Sequence, residues 1–170
     1  LSLLLYKEEI ESALRTPDLG GFQLLGFHDH PPQGTSTVGI VTALRDSKGI
    51  ITPEGFREFC GPTVPLARLT KRVFTDMEIL KADIDIAHYG SYDIVDMAFR
   101  WQLATSSGTD IATGAFDSRS IPAGGLTRIG RIDIPLSTIT EPIKAVLRVF
   151  TPDTDISNSW DVWVYPQSKQ

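Results

Sequence analysis

Apolar and polar positions follow two different periods along this chain, and the change falls near residue 64. Before it, Leu3, Tyr6, Ile10, Ala13 and Leu14 recur at helical spacing, with Lys7, Glu8 and Glu11 facing away, which predicts an amphipathic helix. Pro17 stops it. Gly20-Gly21 then releases the chain into Phe22-Gln23-Leu24-Leu25-Gly26-Phe27. This almost wholly apolar run predicts a strand buried on both faces, the kind found in parallel sheets covered by helices. His28 to Gly34 is a polar, proline-broken loop. Val38 to Arg45 predicts a short helix, with Arg45 and Lys48 near its end and Gly49 placed to terminate it. Thr52-Pro53 opens another, Thr as N-cap and Pro at the first helical position. Phe56, Phe59 and Cys60 form its buried side.

From about Val64 the period becomes two. Leu80 to Ile86, Met97 to Leu103, Ile132 to Leu136, Ile143 to Val149 and Trp160 to Val164 alternate apolar with polar residues. Turn clusters separate them, among them Ser106-Ser107-Gly108 and Pro122-Ala123-Gly124-Gly125. Arg68 to Phe74 and Ile111 to Phe116 bring the total to about seven strands, the pattern of an antiparallel β-sandwich of immunoglobulin type. With no cysteine pair, a fibronectin-like sandwich is the better picture. The stiff segment Gly61-Pro62-Thr63-Val64-Pro65 marks the boundary. The expected organisation is therefore 1–63, an α/β piece, and 64–170, an immunoglobulin/fibronectin-like β-sandwich, the whole mainly β.

Composition narrows the function classes. The chain has 170 residues, 41% hydrophobic and 22% charged, enough to bury a real core. Its net charge of -5 argues against nucleic acid or an anionic membrane as partner, since both favour a basic face. A single cysteine, Cys60, excludes an internal disulfide and reads as a buried structural thiol. Leu1 to Leu5 lacks a basic lead-in and runs into Lys7-Glu8-Glu9, so it is not read as a signal peptide. A start at Leu rather than Met suggests an excised fragment.

The first segment poses a physical problem. A strand apolar on both faces needs neighbouring strands and helices over both sides. Helix, buried strand, loop, helix is one repeat of a βα barrel. Leu19-Gly20-Gly21-Phe22-Gln23-Leu24-Leu25, running into His28-Asp29, resembles the eighth barrel strand of family 2 glycoside hydrolases, the β-galactosidase-like enzymes. Pro31-Pro32-Gln33-Gly34-Thr35, Val38 to Lys48, and Thr52 to Cys60 are similar to a bacterial branch of that family. So is the closing Asn158-Ser159-Trp160-Asp161-Val162-Trp163-Val164-Tyr165-Pro166, in its post-barrel sandwich. The resemblance implies a C-terminal fragment of a retaining glycosidase acting on β-linked sugars, from a bacterial periplasmic or secreted parent. Such enzymes use two glutamates about 5 Å apart. By family pattern both would precede Leu1, so no catalytic residue is expected in this chain and no cofactor.

What the resemblance places here is the edge of a pocket. His28, Asp29 and His30 would stand at the C-terminal end of the eighth strand, where barrel enzymes build their sites, and offer hydrogen bonds to sugar hydroxyls in the intact parent. The plainer alternative is that Asp29 caps the loop and both histidines are loop surface. A metal site on His28 and His30, completed by Asp29 or His88, is the weaker reading, because no further His or Cys cluster exists. Glu8, Glu9, Glu11, Glu54 and Glu58 read as solvated helix faces. Trp101 and Trp160 read as core by alternation. Trp163 and Tyr165 face the other side and serve either to stack on sugar or to dock on the parent enzyme. A sugar-binding or interaction module without enzymatic activity is the alternative function. Self-association is expected through the unpaired edge of the Phe22 to Phe27 strand.

Overall fold

Alternating side chains give each strand of the second half one apolar face, and two sheets bury those faces in one core. The computed structural model describes residues 2–33 and 37–167; Leu1, and Gly34 and Thr35 of the proline-broken loop, lie outside the described residues. The chain divides into two compact units, Leu1–Gly61 and Pro62–Gln170.

The second unit is all strand and turn among the described residues. Its strands are β1 (Thr63–Leu69), β2 (Val73–Phe74), β3 (Ile79–His88), β4 (Ile94–Met97), β5 (Arg100–Thr105), β6 (Asp110–Ala115), β7 (Arg119–Ile121), β8 (Gly125–Pro135), β9 (Ile143–Phe150) and β10 (Ser157–Val164). One sheet has the order β1-β3-β8, a second β2-β10-β9-β5-β6, and β4 pairs with β7 alone. Every pairing is antiparallel except β2 with β10, which makes the larger sheet mixed. Leu80, Ile84, Ile132 and Ile134 from the first sheet share a core with Leu103, Leu147, Trp160 and Val162 from the second. Trp101 packs against that core from β5. Its indole lies over Gly114 of β6, where a Cβ would sit 2.5 Å from the ring. Only glycine leaves the space the ring needs.

Three of the expected strands differ in extent. Arg68 to Phe74 is broken between β1 and β2, which belong to different sheets. Met97 to Leu103 splits into β4 and β5, just past Asp96 with its left-handed φ of 54°. Ile132 to Leu136 is the end of a much longer β8, whose register with β3 shifts at Ile84/Asp85. Alternation reports which face a residue takes, but not where a strand changes sheet or bulges.

The first unit departs further from expectation. Helix α1 (Ser2–Leu14) forms and buries Ile10 and Leu14. Glu11, expected on a solvated face, is fully buried. Lys7 Nζ lies 3.0 Å and Arg15 Nη1 3.2 Å from its carboxylate, each four residues away along the chain. Those ion pairs are what a buried carboxylate requires. Glu8 and Glu9 are exposed.

Residues 22–27 form no strand. Phe22 and Phe27 are partly bared and Leu25 is 94% exposed. Among the described residues the ladder contact next to this run is an isolated parallel bridge from His28 to Val41. An apolar run becomes a buried strand only when neighbours pair its backbone groups. Here only its end is paired, Gly26 O by the Tyr6 hydroxyl at 3.0 Å and Phe27 O by Ile40 N–H at 2.9 Å, and a barrel-type strand is absent from the described residues. The strand edge through which self-association is expected is not formed at residues 22–27.

Val38 to Arg45 is likewise not a helix. Val41 bridges His28 on one side and Ser47 on the other. Helix α2 (Pro53–Arg57) forms as its capping residues require: Thr52 Oγ1 accepts from Gly55 N–H at 3.2 Å, with Pro53 at the first position. Phe59 is buried and Cys60 half-buried. No helix among the described residues is long and apolar enough to cross a membrane.

Candidate functional site

Backbone pairing brings the His28 loop together. Ile40 N–H donates to Phe27 O at 2.9 Å, and Asp29 N–H donates to Val41 O at 3.2 Å. Between them Gly39 lies flat against His28, so close that an added Cβ would sit 2.4 Å from the His28 carbonyl carbon. Asp29 closes the strap with its side chain: Oδ1 accepts from Gly39 N–H at 3.0 Å and from Lys48 Nζ at 2.7 Å. The same ammonium donates to Thr37 O at 3.1 Å and Gly39 O at 3.0 Å. All three of its N–H bonds are thereby used.

The hydrogen bond from Lys48 holds the Asp29 carboxyl below its ordinary range, against a smaller opposing effect of desolvation, and the Gly39 amide adds to the lowering. Asp29 is therefore an ionised brace at neutral pH. A carboxyl with a lowered folded pKa stabilises above its unfolded pKa, and that contribution is lost as pH falls through the folded value. Asp29→Asn is expected to lower the melting temperature at pH 7. The gap to wild type should close as pH is taken below the ordinary aspartate range. A gap that stays constant down to pH 2 would mean the ionised carboxylate contributes nothing.

His28 and His30 are exposed, with ring centroids 6.4 Å apart and tilted by 35°. His28 Nδ1 lies 3.0 Å from Asp29 O. Among the described residues no group of three His, Cys, Asp or Glu is placed to hold a metal ion. His88, the candidate further ligand, is buried in the second unit with both ring nitrogens engaged. Nδ1 meets Thr63 Oγ1 at 2.8 Å and Nε2 meets Tyr92 O at 2.8 Å. It pins β1 to the turn after β3.

Trp163 lies on β10, across from Val73 of β2 and Lys144 of β9. The Lys144 ammonium stands 5.8 Å from the indole centroid and 2.8 Å from Asp161 Oδ2. The ring is half-buried among these neighbours, while Tyr165, anchored by its N–H to Phe74 O at 2.9 Å, is 51% exposed. The result is an aromatic position beside an exposed ion pair, on the outer face of the larger sheet.

The sequence pattern did not single out Arg45 and Arg57 as a pair. They border a cavity in the first unit with Phe27 and Phe56. Reading Val38 to Arg45 as a helix makes Arg45 a helix-end charge and hides that it borders the same cavity as Arg57. Its one available signal was two arginines flanking the Thr52-Pro53 cap.

A family model described as Domain of unknown function (DUF8488) matches residues 78–166. No curated protein matches the chain. Among solved structures, an alkylpurine DNA glycosylase from Pseudomonas fluorescens is similar at 15% identity and a TM-score of 0.46, over 61% of this chain and 30% of that one. The chain thus spans under a third of that protein. A CARDB domain from Pyrococcus furiosus is similar at 9% identity and a TM-score of 0.47, over 62% of this chain and 94% of that one. A β-glucuronidase from Parabacteroides merdae follows at 11% identity and a TM-score of 0.39, over 61% of this chain and 14% of that one. At such scores these likenesses carry no functional argument.

Proposed function

The chain belongs to the DUF8488 family, and from that premise we propose that it is a non-catalytic β-domain, the accessory part of a family 2 type glycosidase acting on β-linked sugars. The carrying observation is geometric: Asp29, the carboxyl expected at a pocket edge, is taken up within its own loop by Lys48 Nζ at 2.7 Å and Gly39 N–H at 3.0 Å. A retaining glycosidase needs one carboxyl held protonated near neutral pH. The three carboxyls that shift here, Asp29, Glu54 and Glu78, all shift downward. Lys48 holds the first. The Glu54 backbone N–H and the Thr52 hydroxyl hold the second, and Lys71 and the Thr75 amide hold the third. All three serve as fixed acceptors rather than acids.

The link to glycosidases rests on the sequence resemblance of Leu19 to Asp29 and Asn158 to Pro166. On this reading residues 1–63 descend from the last βα unit of a barrel whose strand no longer forms, and residues 64–170 are an immunoglobulin-like accessory sandwich. Pocket-edge roles for His28, Asp29 and His30 belong to the intact parent. A second reading, a sugar-binding module, is favoured by one feature: the Trp163 indole beside the Lys144–Asp161 pair offers a stacking surface next to hydrogen-bonding groups.

Purified chain should give no turnover of a chromogenic β-galactoside. Turnover lost in a folded Asp29→Asn variant would overturn the non-catalytic reading. Calorimetric titration with β-linked oligosaccharides separates the other two. Binding abolished by Trp163→Ala would favour the module, and no heat with either protein the structural accessory.

A further inference from the structure

The first unit carries a half-open cavity of about 480 Å³, within the range of small-molecule sites. Phe27, Ile40, Ile51 and Phe56 supply its apolar lining, and Arg45 and Arg57 border it. The walls are tied down before any ligand arrives. Ile40 is bonded to Phe27 through the backbone at 2.9 Å. The rings of Phe27 and Phe56 meet edge-on with centroids 6.0 Å apart, and Phe56 rests on Phe59 at 5.0 Å. Thr52 fixes the start of α2, which carries both Phe56 and Arg57.

The two guanidiniums distinguish this cavity from a packing gap. Among the described residues neither has a carboxylate at ion-pair distance; Glu54 acts on Arg57 only through space. Two exposed arginines bordering one apolar hollow, on a chain of net charge -5, are a local arrangement and not the drift of a basic surface. Arg45 also occupies a costly position. Its φ is 67°, the left-handed region that glycine adopts freely and a long side chain does not. Arg45 N–H bonds to Thr42 O at 2.9 Å, and Thr42 N–H to Asp46 O at 2.9 Å, so the turn is rigidly held. The turn itself asks for glycine; the guanidinium is what the arginine adds.

We propose that this cavity binds a small amphipathic anion, a carboxylate on an apolar body. Phe27, Ile40, Ile51 and Phe56 take the body, and Arg45 and Arg57 take the head. Guanidinium suits that head because its planar N–H fork matches a carboxylate in two parallel hydrogen bonds. The site lies wholly in the first unit and uses none of the residues of the second, and its test reads anion binding, which stands or falls whether or not the chain comes from a glycosidase.

The test uses the whole chain and two probes with one ring system. 8-Anilinonaphthalene-1-sulfonate carries the anionic head; N-phenyl-1-naphthylamine lacks it. Saturable one-to-one binding of the sulfonate is expected, about tenfold or more tighter than the neutral amine, consistent with charged hydrogen bonds of roughly 1.5–3 kcal/mol. Decanoate and 4-phenylbutyrate should displace it, and whichever does so at lower concentration identifies an alkyl or an aryl body. Arg45→Gly removes the guanidinium while relieving the backbone, so it should fold at least as well as wild type and lose about tenfold in sulfonate affinity. Arg57→Gln should do the same, and neither should alter binding of the neutral amine. Cys60, the only cysteine, borders the cavity, and burial pushes its thiol up. Its slow alkylation by iodoacetamide should slow several-fold more when the site is filled. Equal affinity for both probes, wild-type sulfonate binding in folded Arg45→Gly, or an alkylation rate indifferent to saturating ligand would each overturn the proposal.

Discussion

Replacing Trp160 with alanine is expected to remove about 3–5 kcal/mol of stability, the largest loss of any single truncation in this chain. Trp160 is 1% exposed and heads the fully buried side chains by volume. It projects from β10 into the core shared by both sheets, directly across from Leu147 of β9. The hole it would leave has little freedom to collapse. Two residues earlier on the same strand, the fully buried Asn158 donates from Nδ2 to Pro65 O on β1 at 2.9 Å, tying β10 to the opposite sheet. The partner strand β9 is itself held on both edges, by β10 and by β5. Against a usual total of about 5–15 kcal/mol, the loss should bring the urea midpoint down sharply with an unchanged slope, followed by far-UV circular dichroism. Trp160→Phe should cost distinctly less, since most of the volume stays filled. An alanine variant within about 1 kcal/mol of wild type would mean that the two sheets do not share this core.

How much of this could be read from the sequence depended on whether a local rule was in control. In the second half it was. Side chains on a strand with one face turned to a core must alternate, so Leu80, Trp160, Val162 and Val164 fall inside where the period of two puts them. What alternation does not carry is the partner. The transfer of the chain from β1 to β2 between sheets, the register shift at Ile84/Asp85 and the left-handed Asp96 depend on contacts far along the chain. In the first half the governing contacts were all of that kind. Phe22 to Phe27 has the composition of a buried strand, yet among the described residues only its end is paired, Gly26 O by the Tyr6 hydroxyl and Phe27 O by the N–H groups of Ile40 and Val41. The Asp29–Lys48 brace joins residues nineteen apart, and no periodicity announces it. Arg45 looked like the basic end of a helix because the residues around it have helical spacing. A glycine pressed on a backbone and an arginine in a left-handed turn leave no mark in a hydrophobic pattern.

Gly39 is the point on which that first unit turns, and Gly39→Ala should disrupt it locally. The new methyl would lie 2.4 Å from the His28 carbonyl carbon, 2.5 Å from Asp29 N and 2.8 Å from His28 Cα. These are backbone atoms, so no side-chain rotation relieves the overlap and the two segments must move apart. Separation strains the bonds that join them: Ile40 N–H to Phe27 O, Asp29 N–H to Val41 O, and Gly39 N–H to the Asp29 carboxylate. At about 1 kcal/mol for each hydrogen bond, and more for the one to a charged group, the strap should lose about 3–5 kcal/mol. Amide hydrogen exchange reads this residue by residue: Asp29, Ile40 and Val41 should lose protection by two or more orders of magnitude. Because Phe27 and Ile40 also line the proposed anion cavity, the variant should bind the sulfonate probe more weakly, with both guanidiniums intact. Gly20→Ala is the matched control. A Cβ there meets nothing within 4 Å, so the change should be neutral or slightly stabilising through the unfolded chain. Wild-type protection at Ile40 in Gly39→Ala would show that the close approach of Gly39 to His28 is not what holds the strap together.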